Sequence, residues 1–464
     1  MLKIFSQYYP IRNLLFFLGE SCLIVAGLWL TMHLIHQGAI PEEPLREKLW
    51  IRIVVITVII QLSLYYNNLY EFGTEFRIMD LTLRLLQSIG GSCIFLAALY
   101  YIFPSLILKQ GIFFVGLIFL LFFLVSWRLA YQFICQKQYL SEKIILVGDG
   151  CLAGEISREI RRNLDSGYRI AAFFANPGAP ELAQEIGADY YDDYSKLCAV
   201  AIDKGVKKIV LALGERRGES PVRNLLECKL YGIRIFEGVN FYERLSGKIL
   251  VKQTPPSWLI FSDGFHRHRI IVAAKRLMDL FAAGFGLVLS APVMGITAAA
   301  VKLSSPGPVF FFQERTGQRE RPFKVIKFRT MRQDAESGTG AVWAEEKDPR
   351  ITSVGRFLRK VRLDEIPQFW NVLKGEMSFV GPRPERPEFV EQLRKKLPYY
   401  GERHSVKPGI TGWAQINYGY GASEKDALHK LEYDLFYIKN LSLMFDLFII
   451  LKTIKTVLAG NGAR

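Results

Sequence analysis

The sequence predicts a membrane protein built from three parts. These are a four-helix transmembrane unit over residues 1–140, a Rossmann-like α/β domain over 141–262, and a C-terminal α/β domain over 263–464 with a membrane helix of its own. Half of the residues are apolar, four long apolar stretches lie near the N-terminus, and an alternation of strand and helix patterns begins at Ser141. At about 150 residues per domain, 464 residues are enough for three.

The four N-terminal apolar stretches each approach the roughly 20 residues that a helix needs to cross a bilayer. A cleavable signal peptide is a poor interpretation, because such a peptide is short and is not followed by three further spans. Basic residues flank the spans mainly on one side, which predicts that both ends of the unit face the cytoplasm. The stretches run near 14–36, 50–66, 85–108 and 111–134.

The second part reads as a doubly wound βα domain. Its opening segment GDGCLA, at 148–153, fits the GxGxxA variant of the dinucleotide-binding turn. A dinucleotide site would also need Asp or Glu at the end of the second strand, which instead runs into Ala-Asn-Pro at 175–177. A bound nucleotide and a turn that only packs strand on helix both stay open.

The C-terminal part begins with a fifth apolar segment that has no charge from Leu280 to Val301. Pro292 lies in its middle, so we expect the helix to kink or break there, with Ser290 bonding the freed carbonyls. Basic residues on both flanks favour a re-entrant helix over about 277–302, whose two ends lie at the cytoplasmic face. An ordinary kinked span is the alternative.

The formal net charge of +15 indicates anionic partners. Part of this charge lies beside the fifth apolar segment, where a belt for acidic lipids is one explanation. The segment PFKVIKFRTM, at 322–331, alternates apolar and basic residues like a strand with one buried face. This pattern predicts that Lys327 and Arg329 share a face presented to an anion. The six cysteines form no CxxC pair and the six histidines no HxxxH pair, so a zinc site and a disulfide scaffold are not expected.

Two adjacent carboxylates, Asp364 and Glu365, precede Pro367 in a basic run. A proline is tolerated in the first turn of a helix, which predicts Asp364 as the N-cap and Glu365 just inside the helix. One carboxylate can attack phosphorus while its neighbour holds a hard cation, but for the dipeptide alone an ordinary helix cap is the favoured explanation. Arg383 favours the chemical role, because the prolines on either side fix its backbone and present its donors with little loss of entropy.

Together these features resemble the bacterial sugar transferase family, the monotopic phosphoglycosyl transferases that begin exopolysaccharide or O-antigen repeat units on a polyprenyl phosphate carrier. The four spans and the βα domain match the long form of the family, and GWAQINYGYGAS resembles the branch found with exosortase-linked exopolysaccharide clusters. One departure is that Ala291 separates Ser290 from Pro292, where the family commonly has Ser directly before Pro. The resemblance covers about 268–464 through KRLMDL, SSPGPVFF, QERTGQ, KFRTM, LDEIPQFWNVLKGEMSFVGPRP, KPGITGWAQINYGYGAS and LEYDLFYIKNLSLMFDL.

The resemblance implies transfer of a sugar 1-phosphate from a UDP-sugar to undecaprenyl phosphate at the bacterial inner membrane, with both α/β domains facing the cytoplasm. Asp364 would be the nucleophile that carries a covalent phosphosugar, and Glu365 would be the Mg²⁺ ligand. The phosphate-binding cations would be Lys327, Arg359 and Arg383, to which the strand pattern adds Arg329. The expected partners are the two substrates, the lipid bilayer and a second copy of the chain in a homodimer, and no nucleic acid.

Two other functions stay open. A membrane-tethered nucleotide-sugar dehydratase or epimerase could use the GxGxxA turn, but it would need a nicotinamide cofactor and a YxxxK pair that 141–262 lacks. A non-catalytic scaffold for polysaccharide assembly would leave the carboxylates and arginines dispensable. The sugar cannot be predicted, because a few contacts set by the fold select its hydroxyl stereochemistry.

Overall fold

A computed structural model describes most of the chain as two compact units, whose main stretches are 8–241 and 242–464. The described residues are 2–4, 7–9, 11–35, 49–71, 78–107, 112–136, 141–148, 150–163, 166–176, 180–213, 221–265, 268–332, 350–419, 421 and 423–458.

Four long helices dominate the first part of the first unit, and buried aliphatic side chains such as Ile24, Leu64 and Leu124 form their shared core. With one helix of the second unit, these helices are long and apolar enough to cross a membrane. The chain is therefore a membrane protein. After two short strands, β1 (Leu2–Ile4) and β2 (Gln7–Tyr9), the helices are α1 (Ile11–Ile35), α2 (Leu49–Tyr66), α3 (Ile78–Ile102) and α4 (Ile112–Gln136).

A buried ion pair joins α1 to α4. Arg128 Nη2 lies 2.6 Å from Glu20 Oε1, and Tyr70 donates its hydroxyl to the same carboxylate. Arg128 also donates to the carbonyl of Leu69, so each charge has several partners. Charged side chains inside apolar helices are costly unless they are paired, and this pairing explains how the two helices accommodate them.

A five-stranded parallel sheet with the order β5-β4-β3-β6-β7 forms the rest of the first unit. This is the predicted doubly wound arrangement. Gly148 follows β3 with φ +137°, and a Cβ atom there would lie 2.3 Å from Ala212 O, so the turn requires glycine for packing alone. Asp149, the second residue of the GxGxxA segment, lies outside the described residues. The elements are β3 (Glu142–Val147), α5 (Cys151–Arg162), β4 (Tyr168–Phe174), α6 (Pro180–Ile186), β5 (Asp189–Tyr191), α7 (Leu197–Asp203), β6 (Lys208–Leu211), α8 (Val222–Leu230) and β7 (Arg234–Glu237).

The second unit contains an antiparallel hairpin, a short parallel strand pair and helices around them. The hairpin is the strand pattern predicted for the basic segment. The elements are α9 (Gly238–Ser246), α10 (Pro256–Phe261), α11 (Arg269–Ser304), β8 (Phe310–Thr316), β9 (Pro322–Phe328), α12 (Ser353–Lys360), α13 (Gln368–Lys374), β10 (Ser378–Val380), α14 (Pro387–Lys396), β11 (Gly409–Thr411), α15 (Trp413–Asn417), α16 (Glu424–Lys439) and α17 (Leu443–Leu458).

Residues 242–262 pack with the second unit, whereas the sequence assigned them to the Rossmann-like domain. Lys439 Nζ lies 2.6 Å from Glu243 Oε2, and the indole of Trp413 donates to Gly247 O at 2.8 Å. The expected boundary rested on Pro255 and Pro256, but Pro256 is simply the first residue of α10. The contacts therefore divide the chain near residue 241.

Helix α11 runs through Pro292 as one continuous helix, so of the expected kink or break the break does not occur. Proline removes one backbone bond, and the adjoining turns keep the others. Ser290 donates to Leu287 O at 3.4 Å. Apolar side chains around the proline, such as Val288 and Leu289, are largely exposed, as suits contact with lipid.

Candidate active site

Asp364 lies in a short 3₁₀ turn, Leu363–Glu365, between α12 and α13. Helix α13 begins only at Gln368, and its N-cap position is occupied by Pro367. The expectation that Asp364 caps this helix is therefore wrong. Pro367 has helical dihedral angles, φ −60° and ψ −17°, but it stands before the helix instead of inside its first turn. The ordinary-cap explanation of Asp364 thus loses its geometric basis.

Glu365 is surrounded by basic side chains. Its Oε1 atom accepts hydrogen bonds from Lys327 Nζ and Arg383 Nη2, each at 2.9 Å. Its Oε2 atom lies 3.6 Å from Arg362 Nη1. Strand β9, the loop before α14 and the residue before the 3₁₀ turn each supply one of these cations, so the carboxylate joins three separate segments.

Asp364 is also buried, with 8% of its surface exposed. Burial, together with the neighbouring charge of Glu365, raises the pKa of the Asp364 carboxyl above its ordinary value. The cations Lys327, Arg359 and Arg383 oppose this shift and favour the ionised form. The carboxylate is thus poorly hydrated while nearby cations favour its ionised form, as suits a nucleophile.

The pKa values of the ionisable groups around Asp364 are shifted as well. Burial alone would raise the pKa of Glu365, but Lys327 and Arg383 outweigh burial and hold that pKa well below its usual range. Burial lowers the pKa of the Lys327 ammonium, although Glu365 opposes the shift. Glu365 raises the pKa of Arg383 despite burial. Glu365 is therefore the permanent counter-charge, and Asp364 is the carboxylate whose charge is poorly stabilised.

Asn371 fixes the strand that carries Lys327. Its side-chain oxygen accepts a hydrogen bond from Ile326 N at 3.0 Å, and its amide donates to Lys324 O at 2.8 Å. Asn371 lies on α13 and is fully buried. It thus aligns β9 with the helix that follows the carboxylate pair. The sequence reasoning missed this residue, because a buried asparagine leaves no periodic signal.

The other predicted cations occupy different positions. Arg359 lies on α12, and its Nε donates to Thr330 Oγ1 at 2.9 Å while its charge acts on Asp364. Arg329 is 5% exposed, and its guanidinium donates to Pro306 O at 2.7 Å and Ser305 O at 2.8 Å. The expectation that Arg329 presents its charge to an anion beside Lys327 is wrong, because backbone carbonyls of 305–306 bind its guanidinium. Arg329 instead holds the chain that follows α11.

Arg362 is a fourth cation of the site that the sequence reasoning did not assign. It has the left-handed dihedral angle φ +56° and directly precedes the 3₁₀ turn. The run of basic residues before the carboxylates was its only signal. We use "carboxylate site" below for Asp364 and Glu365 with the cations Lys327, Arg359, Arg362 and Arg383.

The donor set of the carboxylate site suits a magnesium ion. Among the residues that the structure describes, no group of three or more His, Cys, Asp or Glu side chains converges on one point. Mg²⁺ needs fewer, because it binds through one or two carboxylates and takes its other oxygens from water and substrate phosphate. Oε2 is the hard ligand that Glu365 offers, because Oε1 accepts two hydrogen bonds whereas Arg362 Nη1, at 3.6 Å, is beyond hydrogen-bond distance of Oε2.

The fold and the site define a membrane protein that presents a carboxylate pair among cations, an arrangement directed at phosphorylated molecules. A sequence model described as "Bacterial sugar transferase" matches residues 270–460, and one described as "CoA-binding domain" matches 67–228. The chain belongs to the bacterial sugar transferase family, as the resemblance indicated.

Characterised relatives include a UDP-N-acetylgalactosamine-undecaprenyl-phosphate N-acetylgalactosaminephosphotransferase from Aeromonas hydrophila, 44% identical over 52% of this chain and 56% of that protein. UDP-glucose:undecaprenyl-phosphate glucose-1-phosphate transferases from Xanthomonas campestris pv. campestris and Escherichia coli are 35% and 50% identical. The match to the Xanthomonas protein covers 69% of this chain and 68% of that protein. The match to the Escherichia protein covers 39% of this chain and 39% of that protein. The chain thus spans little more than half the length of the Aeromonas relative.

Proposed function

We propose that the protein transfers a sugar 1-phosphate from a UDP-sugar to undecaprenyl phosphate, the first step in building an exopolysaccharide or O-antigen repeat unit. The observation that carries this proposal is the buried Asp364 beside a Glu365 that Lys327 and Arg383 hold at 2.9 Å. The names of the relatives supply the substrate class, and they include both glucose and N-acetylgalactosamine donors.

In the proposed reaction, an Asp364 oxygen attacks the phosphorus next to the sugar. A carboxylate–phosphorus bond forms, the diphosphate P–O bond breaks, and UMP leaves. An oxygen of the lipid phosphate then attacks the same phosphorus and releases the carboxylate.

Because Asp364 must be ionised and burial raises its pKa, turnover is lost on acidification at a higher pH than it would be for an exposed aspartate.

Glu365 would hold Mg²⁺, which when bound neutralises charge on the diphosphate oxygens. The remaining roles in the proposed reaction belong to side chains of the protein. Lys327 and Arg383 orient the phosphate groups, Glu365 keeps those two cations in place, and Arg359 supports the ionised form of Asp364.

The packing of α11 supports a re-entrant membrane segment. Ala283 belongs to a buried cluster with Val325, and Val301 to a cluster with Phe328. A straight helix would separate the two α11 residues by about 27 Å, whereas the two strand residues lie about 10 Å apart. Both halves of the helix thus pack on one soluble unit, which favours a bend near Pro292 and ends on the cytoplasmic side.

We expect cysteines introduced at Ile270 and Phe310 to be labelled from the same side of the membrane. Ile270, 82% exposed, lies in the first turn of α11, and Phe310, 38% exposed, lies six residues after its end. The measurement is reaction with a membrane-impermeant maleimide in sealed inverted vesicles and in spheroplasts. Labelling of the two positions from opposite sides would show that α11 crosses the bilayer.

A turnover assay tests the proposed function. Detergent-solubilised full-length protein is incubated with Mg²⁺ and a panel of UDP-sugars, with or without undecaprenyl phosphate, while UMP is measured. We expect about one UMP per protein without the lipid and continuous release with it, for at least one donor. No UMP with any donor would contradict the proposal, and lipid-dependent release without the initial equivalent would contradict the covalent step.

We also propose a homodimer, since closed symmetric pairs are the commonest oligomers of soluble proteins and the family resemblance favours one. The mass of the protein in native lipid particles should correspond to two chains. An active particle that holds one chain would contradict this.

A further inference from the structure

The loop that presents Arg383, residues 381–385, has four consecutive carbonyls bound by the surrounding protein. We call it the Arg383 loop. Two of the four donors are backbone N–H groups, and the other two are arginine side chains. The bonds are Gly409 N to Pro382 O at 2.9 Å, Arg403 Nη2 to Arg383 O at 3.0 Å, Arg315 Nη1 to Pro384 O at 3.1 Å and Thr316 N to Glu385 O at 2.9 Å.

Arg403 is the buried one of the two arginine donors. It is 5% exposed, and its Nη2 atom also donates to Asp434 Oδ2 at 2.8 Å. Its Nη1 atom donates to the hydroxyl of Tyr400 at 2.6 Å. Asp434 lies on α16 and is itself buried, so a second element of the fold orients the guanidinium.

Stability alone is a poor explanation for this pair. Removing two charges from water costs free energy that their attraction recovers only in part, and apolar replacements of such pairs are often no less stable. The Arg403 guanidinium has a second role, because its Nη2 atom also donates to the backbone carbonyl of Arg383. The side chain of Arg383 in turn contacts Glu365.

We infer that Arg403, oriented by Asp434, is a positioning residue that fixes the backbone of Arg383 and so places the Arg383 guanidinium for the phosphate groups of the nucleotide donor. This inference rests on the proposed function. Arg403 reaches the reacting atoms only through Arg383. Small displacements matter there, since a shift of about 1 Å in a positioned group can cost on the order of 10²-fold in rate.

A double-mutant cycle tests the inference. It compares the wild type, Arg403→Met, Arg383→Met and the double variant in turnover and in the affinity for UDP. We expect each single change to lower turnover by about 10- to 100-fold and to weaken UDP binding. The double variant should be no worse than Arg383→Met, because a group that acts through Arg383 has nothing left to position. Single effects that multiply in the double variant would overturn the inference.

Two further variants keep the test decisive if Arg403→Met fails to fold. Asp434→Asn preserves shape and removes the charge that orients Arg403, so its loss of turnover should also vanish in the Arg383→Met background. Arg394→Met is the matched control, because Arg394 forms an exposed pair with Glu320, and its turnover should stay within about twofold of wild type. If Asp434→Asn lowers turnover in the Arg383→Met background as well, the pair of Arg403 and Asp434 serves stability and does not position Arg383.

The UDP-binding arm separates this inference from the proposed function. A wild-type protein that binds UDP but transfers no sugar phosphate would contradict the proposed function. The cycle in UDP affinity would still be measurable in that case, and additive losses there would overturn the positioning role.

Discussion

Asp364→Asn is expected to abolish turnover, by at least about 10⁴-fold, and to prevent formation of the covalent phosphosugar. Asparagine keeps the shape of aspartate but lacks the charged oxygen that attacks phosphorus. The measurement is UMP release together with the mass of the intact protein after incubation with the donor. UDP binding should persist, because Lys327 and Arg383 remain in place.

Asp426→Asn is the matched control for this change. Asp426 is a true capping residue, since it closes a capping box with Ser423 at the start of α16. An asparagine oxygen can still accept the two capping bonds from Ser423, so the turnover of this variant should match that of wild type. An Asp364→Asn protein that still forms the phosphosugar would refute the nucleophile assignment.

Glu365→Gln is expected to lower turnover by about 10²- to 10³-fold, the usual cost of losing a fixed electrostatic partner. An amide is a poorer magnesium ligand than a carboxylate, so added Mg²⁺ should restore part of the rate. The change also leaves Lys327 and Arg383 without their counter-charge. Breaking a fully buried pair costs about 3–5 kcal/mol, and we expect less here because Arg383 is 39% exposed to solvent.

The magnesium dependence of turnover in the Glu365→Gln protein, set beside its thermal unfolding, checks this expectation. Glu391→Gln is the control, because Glu391 forms an exposed pair with Lys395 and should alter neither quantity. A Glu365→Gln protein with an unchanged magnesium requirement would show that Glu365 serves the cations and not the metal.

The local patterns of the sequence predicted the elements well. Apolar length predicted all four N-terminal helices, although α3 begins at Ile78, ahead of the predicted start, because Asp80 and Arg84 interrupt the apolar run. Alternation predicted β9 and a face on which Lys327 meets an anion, and Lys327 contacts the carboxylate of Glu365. Each of these features depends on neighbours within a few residues, which periodicity records.

Features that depend on distant parts of the chain were not predictable. Glu20 and Arg128 meet across 108 positions, and Arg403 and Asp434 across 31, and no periodic pattern encodes such pairs. Arg329 was assigned wrongly because carbonyls more than 20 residues away, at 305–306, bind its guanidinium, and the strand pattern does not record them. Asp364 is not the N-cap of α13, because Pro367 occupies that position and the helix begins at Gln368.

The composition of the carboxylate site has a consequence for the order of events. Its four cations and two carboxylates leave a net charge of +2 before any metal ion is counted. A nucleotide donor brings about two negative charges on its diphosphate, so the loaded site is electroneutral. Once UMP departs, the adduct and Glu365 again leave +2, which matches a doubly charged lipid phosphate. The two substrates therefore use the same excess of positive charge in turn, and UMP should compete with the lipid phosphate in a ping-pong cycle.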